Sequence, residues 1–274
     1  AESFDPAEVA TAAFEEGASW AVEVYFGDEP DEEGVRELIR IVAPEAADAA
    51  VFTTLDKKDW VAASLEGLAP VAVGSVVVHG SHDRGRVAPN RIGIEIEAAL
   101  AFGTGHHGTT QGCLRAIVGA AKRGKPRRTL DVGTGTGVLA IAAARLFRRD
   151  VLASDIDRVA VTTARENARL NKAGAEIAFL HAPGLNAQAF RQAGPFDLIL
   201  ANILLGPLKG LAKPMRPLLA PGGTVVLSGL LAPQAMSALA AYRAQGLALK
   251  RKRTIEGWTT LELVARQQRP VRHG

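Results

Sequence analysis

The chain has 274 residues and is 47% hydrophobic. It contains no apolar run of the roughly 20 residues that a bilayer-spanning helix needs, and its single cysteine, Cys113, excludes an internal disulfide and a cysteine-built zinc site. The net charge of +3 hides an asymmetry: residues 1–59 carry 16 Asp and Glu against 4 Lys and Arg, and the remainder carries 28 Lys and Arg against 13 Asp and Glu. With no secretory pattern at Ala1, this reads as a cytoplasmic chain with a small acidic module and a large basic one, away from any membrane.

Residues 1–55 predict the small α+β module. EVATAAFEE and SWAVEVYFG are rich in β-formers and flank a glycine-containing turn, so two strands are expected. In DEEGVRELIRIVA the leading acids suit a helix N-terminus, and Val35, Leu38, Ile39 and Val42 keep helical spacing. AAVFTTL predicts a third strand. The order is that of a small α+β sandwich that lacks an opening strand and helix. Its acidity would repel phosphates, which argues against nucleic acid. The acidic surplus either meets a basic partner or is a solvated face. DKKDWVAASLEGLAP (56–70) then predicts a connecting helix that stops at Gly67 and Pro70.

Residues 71–274 open with three β-rich pieces, VAVG, SVVVHG and RIGIEIEA, broken by a polar loop at 80–90. AFGTGHHGTT (101–110) is a glycine-rich turn running into a helix that carries Cys113, whose expected role is a small buried side chain rather than a nucleophile. From 129 onward, strands TLDV, VLASDI, EIAFLHA, FDLILANIL and TVVLSGL alternate with helices near 138–147, 158–172, 187–193, 207–219 and 232–245. Alternation of this kind predicts a parallel sheet with helices on both faces, an α/β Rossmann-like fold. ALKRKRTIEG and WTTLELVAR close the chain as a hairpin, and Lys250 to Arg253 read as its solvated edge.

Ligands of such sheets sit outside the carboxyl ends of the strands, and three features converge there. LDVGTGTGVLA places Asp131 at the end of an apolar strand and Gly133, Gly135 and Gly137 at alternate positions before a helix. A dinucleotide site wants G-x-G-x-x-G, whereas G-x-G-x-G behind an acid suits a ligand with an ammonium or sulfonium group. S-adenosylmethionine carries both, together with a ribose whose hydroxyls Asp155 could take at the tip of the next strand; a glycine turn of some other α/β fold is the plainer alternative. Asp157 is preferred as the cap of the following helix. Asn202, ending FDLILAN, either orients a substrate amine through its amide carbonyl or begins a turn. Phe102 could cover the sulfonium with its ring face, and Thr109 and Thr110 could cap their helix or bond the methionine end. Adjacent His106 and His107 are poorly disposed for one metal, so none is expected.

Taken together, these residues resemble the bacterial PrmA family, methyltransferases of large-subunit ribosomal protein L-11, over nearly the whole chain. AFGTGHHGTT is similar to the family's AFGTGTHPTT, with His106 and Gly108 in place of Thr and Pro. LDVGTGTGVLAIAA, DIDRVAVTTARENARLN, ANILLGPL, SGLL, EGWTTLEL and DKKDW match in kind. The resemblance implies a seven-stranded class I methyltransferase domain (71–274), a linker helix (56–70) and a ferredoxin-like recognition domain (1–55) whose first strand and helix are missing here. It implies cofactor contacts at Thr110, Gly133, Asp155 and Asn202. The implied reaction transfers methyls to lysine and N-terminal α-amines of ribosomal protein L-11 by a monomer, a basic partner that the acidic module suits. Another class I methyltransferase, a non-catalytic binding module and a nicotinamide-dependent dehydrogenase stand as alternatives.

Overall fold

The computed structural model describes residues 9–16, 19–26, 30–53, 70–96 and 107–265. Chain contacts divide the molecule into two units, Ala1–Lys57 and Lys58–Gly274. In the first unit, β1 (Val9–Glu16) and β2 (Ser19–Phe26) pair antiparallel in full register, from Val9 opposite Phe26 to Glu16 opposite Ser19. Helix α1 (Glu32–Val42) follows with Glu32 and Glu33 in its first turn, where the helix dipole favours acids. The short α2 (Pro44–Ala47) has proline at its first position, where no N–H is needed.

The expected third strand does not form in the described part of AAVFTTL: Ala50 to Thr53 have no regular structure. Arg36 accounts for the difference. Its guanidinium donates to the Ala47 carbonyl at 3.1 Å and lies 4.9 Å from the centre of the Phe52 ring, which holds this segment to α1 instead of a sheet. The linker helix expected at 56–70 falls almost entirely outside the described residues.

The second unit begins with β3 (Val71–Val73), β4 (Val76–His79) and β5 (Ile92–Glu95), a small sheet in which β4 pairs antiparallel with β3 and parallel with β5. The loop expected at 80–90 contains a 3-10 turn, Ser81–Arg86, whose buried Asp83 accepts from Arg86 at 2.8 Å. Arg84 clamps Glu95 through both oxygens at 2.6 and 2.5 Å, holding that carboxyl below its ordinary range. Asn171 ties the same strand to the main body, accepting from the Glu95 amide and donating to its carbonyl.

The main body is a seven-stranded sheet of β6 (Arg128–Val132), β7 (Asp150–Asp155), β8 (Ile177–His181), β9 (Phe196–Asn202), β10 (Leu219–Leu231), β11 (Leu247–Ile255) and β12 (Trp258–Ala265). Their spatial order is β11-β12-β10-β9-β6-β7-β8, with β12 antiparallel between β10 and β11. Helices α3 (His107–Arg123), α4 (Val138–Phe147) and α5 (Arg158–Leu170) cover the sheet, with α6 (Gln188–Ala193), α7 (Leu205–Gly210), α8 (Ala212–Met215) and α9 (Ala235–Arg243) following along the chain. Two buried clusters result, one around Leu130, Phe190 and Tyr242 and the other around Leu114, Ile141 and Phe147. Each core face is fed by alternate residues of the same strands, so Leu198 and Leu200 lie in one cluster and Ile199 and Ala201 in the other.

A single helix was expected over 207–219. The chain instead breaks after Gly210, and Pro214 and Pro217 confine it to α8 and a 3-10 turn at Arg216–Leu218. β10 starts at Leu219 and loses register with β9 before Thr224, across Pro221, Gly222 and Gly223. β9 ends at Asn202, two residues before the expected strand end.

Candidate active site

The glycine turn is built by backbone geometry that side chains would spoil. Gly133, Gly135 and Gly137 have φ of 67°, 53° and 81°, in the left-handed region. The turn is latched to the next strand because Gly133 N and Thr134 N both donate to the Ser154 carbonyl, at 2.8 and 3.0 Å. Gly137 then occupies the N-cap of α4.

Asp131 lies beneath this turn, 1% exposed. Its Oδ2 accepts from the Thr134 hydroxyl at 2.7 Å and the Ala140 amide at 3.2 Å, while Oδ1 is buried with no hydrogen-bond partner. Burial pushes its carboxyl up to about 6 against the bonds from Thr134 and Ala140. The side chain therefore holds the loop that faces a ligand and sets negative charge under it.

Asp155 ends β7, partly exposed, and both its oxygens are fixed by backbone N–H groups: Gly135 at 2.9 Å and Asp157 at 3.1 Å. Each carboxylate oxygen keeps a further lone pair for a ligand donor. Asp157 caps α5, accepting from Val159 N at 2.8 Å, the role preferred for it above. At the neighbouring tip, the Ile156 carbonyl bonds His181 Nε2 at 2.8 Å.

Asn202 is partly buried at the tip of β9, and its Nδ2 donates to Thr109 Oγ1 at 3.4 Å. Helix α3 begins at His107, so Thr109 and Thr110 fall within its first turn and neither is the N-cap. Thr109 is buried and Thr110 half-buried. Phe102 and His106 lie outside the described residues. Gly108, where the family pattern has proline, faces the β11–β12 turn: a Cβ there would come within 2.6 Å of the Ile255 carbonyl oxygen. That close approach gives glycine a structural reason in this chain.

Three contributors were not singled out from the sequence. Ser228 is fully buried and is the parallel-register neighbour of Asn202. Its hydroxyl donates to the Thr109 carbonyl at 3.3 Å and shares a 3.0 Å bond with Thr260 Oγ1. Ile203 lies between two glycines; a Cβ on Gly133 would collide with its Cγ2, and one on Gly229 would lie 2.6 Å from its carbonyl oxygen. SGLL, ANILLGPL and EGWTTLEL, noted as motifs, contain Ser228, Ile203 and Thr260 without marking their roles.

Cys113 is buried in α3 and its thiol is pushed up to about 12 by that burial, which makes it an inert packing group. Among the described residues, no group of three or more His, Cys, Asp or Glu could hold a metal ion. The arrangement thus offers a loop over a buried acid, a carboxylate for hydroxyls and a neutral amide at adjacent strand tips. It has the parts to hold a cationic nucleoside and orient an amine.

A family model described as ribosomal protein L11 methyltransferase (PrmA) matches residues 2–266. The chain is 57% identical over 264 residues to the ribosomal protein L11 methyltransferase of Rhodopseudomonas palustris (strain BisB5), covering 96% of this chain and 90% of that one. With the protein of the same description from Bradyrhizobium diazoefficiens it shares 55% over 264 residues, at the same coverage. Among solved structures it is similar to a ribosomal protein L11 methylase from Lactobacillus delbrueckii subsp. bulgaricus, at 32% identity and a TM-score of 0.65. That likeness covers 72% of this chain and 99% of the other.

Proposed function

The chain belongs to the ribosomal protein L11 methyltransferase (PrmA) family, and from that premise we propose that it moves methyl groups from S-adenosyl-L-methionine to lysine side-chain and N-terminal α-amines of ribosomal protein L11. The observation that carries this reading is the Asn202 amide, held by its nitrogen at a strand tip beside the glycine turn. Bound there, S-adenosylmethionine supplies an electrophilic methyl on a positively charged sulfur. The donor set suits it: Asp155 would take ribose hydroxyls, Gly135, with open space where a Cβ would stand, would let the ligand approach the backbone that Gly133 begins, and Thr110 would meet the methionine end. Asp131, with Oδ1 buried and unpartnered, favours a cation above the turn. Gly137 shapes the turn for these contacts.

Only a neutral amine can attack. For a lysine of ordinary pKa near 10.4, deprotonation at pH 7 costs about 4.6 kcal/mol, and for an α-amine roughly 1 kcal/mol. A partly desolvated site and a neighbouring cation both lower an ammonium pKa. Asn202 accepts a hydrogen bond from the amine and points its lone pair at the methyl group, so catalysis comes chiefly from positioning. Residues 1–55, acidic as counted above, would draw in a cationic protein by charge complementarity. The enzyme would act as a monomer in the cytoplasm on L11 free of the ribosome, without contacting nucleic acid.

The test is incubation with labelled S-adenosylmethionine and purified unmethylated L11, with mass spectrometry locating the methyls. Methylated lysines or a methylated α-amine support the reading. Cofactor binding with no transfer to L11 would redirect the search to another amine-bearing protein.

A further inference from the structure

We infer that Thr109 is a positioning residue for methyl transfer: its buried hydroxyl holds the Asn202 side chain at the strand tip through the amide nitrogen, which keeps the carbonyl oxygen available to the attacking amine. The inference rests on the reading of Asn202 given above and deepens it.

An asparagine amide has two ends of nearly equal shape and opposite polarity. The end that meets an amine must accept a hydrogen bond from N–H while the nitrogen lone pair stays free for the methyl. A rotated amide would present NH2, a donor, to that lone pair and block attack. The Thr109 hydroxyl can pair with either end, so it fixes the side chain in place, while the N–H of the incoming amine favours the orientation with the carbonyl outward. Thr109 Oγ1 accepts from Nδ2 at 3.4 Å, which leaves the Asn202 carbonyl oxygen as the arm without a protein partner among the described residues.

Thr109 is itself held from behind. Its carbonyl accepts from Ser228, whose hydroxyl shares a bond with Thr260 on β12. Ser228 stands beside Asn202 in the β9–β10 register, so the series closes a ring: backbone pairing joins Asn202 to Ser228, and two hydroxyls join Ser228 back to the Asn202 side chain. Thr109, Ser228 and Thr260 are 1%, 0% and 4% exposed. Burying three hydroxyls at one helix–sheet contact stabilises less than well-packed alanine or valine would, because each must be desolvated. Their common product is a fixed amide at the strand tip. Gly112 fits the same picture, since a Cβ there would overlap the Thr260 hydroxyl.

The experiment uses the full chain with L11 as methyl acceptor and four variants: Thr109→Val, Thr109→Ser, Asn202→Ala and Thr109→Val with Asn202→Ala. At 3.4 Å the bond is long, so the loss in kcat for Thr109→Val is expected at about threefold to tenfold. Cofactor affinity by calorimetry should stay within about twofold, and Thr109→Ser should recover most of the turnover. In the Asn202→Ala background, Thr109→Val should cost nothing further. A readout independent of activity is the side-chain amide NMR signal of Asn202, assigned by its disappearance in Asn202→Ala. Its solvent exchange should be slowed in the wild type and in Thr109→Ser and fast in Thr109→Val. Wild-type turnover by Asn202→Ala overturns the role of Asn202 and this inference with it. Where Asn202→Ala is impaired, equal losses from Thr109→Val in both backgrounds, or unchanged amide exchange, overturn the Thr109 inference alone. A fall in cofactor affinity that matches the fall in turnover reassigns Thr109 to cofactor binding.

Discussion

Replacing Gly133 by alanine tests whether the glycine turn sets the strand tip that carries Asn202. At φ 67° an L-residue is strained by roughly 1–2 kcal/mol. The new Cβ also meets Ile203 Cγ2, and Ile203 cannot withdraw freely, because its carbonyl already lies against Gly229 at φ 78°. Overpacking of that kind costs about 1–3 kcal/mol. Together the two terms give about 3 kcal/mol, or about 6–12 °C in unfolding midpoint for a chain of this size. Ile203→Ala removes Cγ2 and, at a partly buried site, should cost about 1–2 kcal/mol alone, toward the low end for such truncations. In the double variant the collision is gone and the backbone strain remains, so the combined loss should fall short of the sum by about 1–3 kcal/mol. Urea unfolding of the four proteins measures this, and calorimetry with S-adenosylmethionine shows whether affinity recovers in parallel. Additivity within about 0.5 kcal/mol would refute the clamp and leave only the backbone conformation of Gly133 as the cause.

Three further outcomes follow from buried groups. Asp131 keeps its proton in the folded state up to about 6, whereas its ordinary value is 3.8. The folded state therefore binds the extra proton in that window, and stability falls by roughly 3 kcal/mol as pH rises from about 4 to about 6. Asp131→Asn should flatten this part of a urea-midpoint profile against pH, and parallel profiles would contradict the assignment. Tyr242 is fully buried and donates to the Leu208 carbonyl at 3.0 Å, in the last turn of α7. Tyr242→Phe should lower stability by about 1–2 kcal/mol through that unpaired carbonyl, and an unchanged urea midpoint would mean water replaces the phenol. Cys113, with its thiol near 12, should resist a disulfide reagent at pH 8 until the chain unfolds; fast labelling of the native protein would show that α3 opens.

Much of the fold was legible because its signals are local. Gly133, Gly135 and Gly137 lie within five residues, and the strand before them, the helix after them and Asp155 follow at fixed distances. The parallel sheet followed from alternation, and the antiparallel closing hairpin from EGW between two β-rich runs. Errors arose where a local rule met a competitor. Val51, Phe52 and Thr53 favour a strand, but Arg36 binds Phe52 and the Ala47 carbonyl and keeps the segment at α1. Apolar periodicity predicted one helix at 207–219, and Pro214 and Pro217 divided it, a signal present in the sequence and outweighed in the reading. The contact of Thr109 with Asn202 was not legible at all. These residues are 93 positions apart, and no spacing rule links a helix start to a strand tip across three intervening strands. Ser228 entered for the same reason, through sheet register.

A neutral amide at position 202 suits amine chemistry better than a carboxylate would. An aspartate there would accept the same hydrogen bond, but its charge would stabilise the ammonium form and reduce the fraction of amine able to attack. The acids already at the strand tips are kept from doing this. Asp131 is buried beneath the turn, and its charge would be taken up by the cation that the turn holds. Asp155 has both oxygens engaged by backbone N–H groups, which disperses its charge into the turn. With the nearby negative charge taken up in this way, an ammonium beside Asn202 would gain little from it, which favours the free amine. On the proposed reading the proton would leave to water before attack, and the requirement on the protein is geometric: a lone pair held in line with a methyl group. A ring of buried hydroxyls behind one asparagine meets that requirement without introducing a charge.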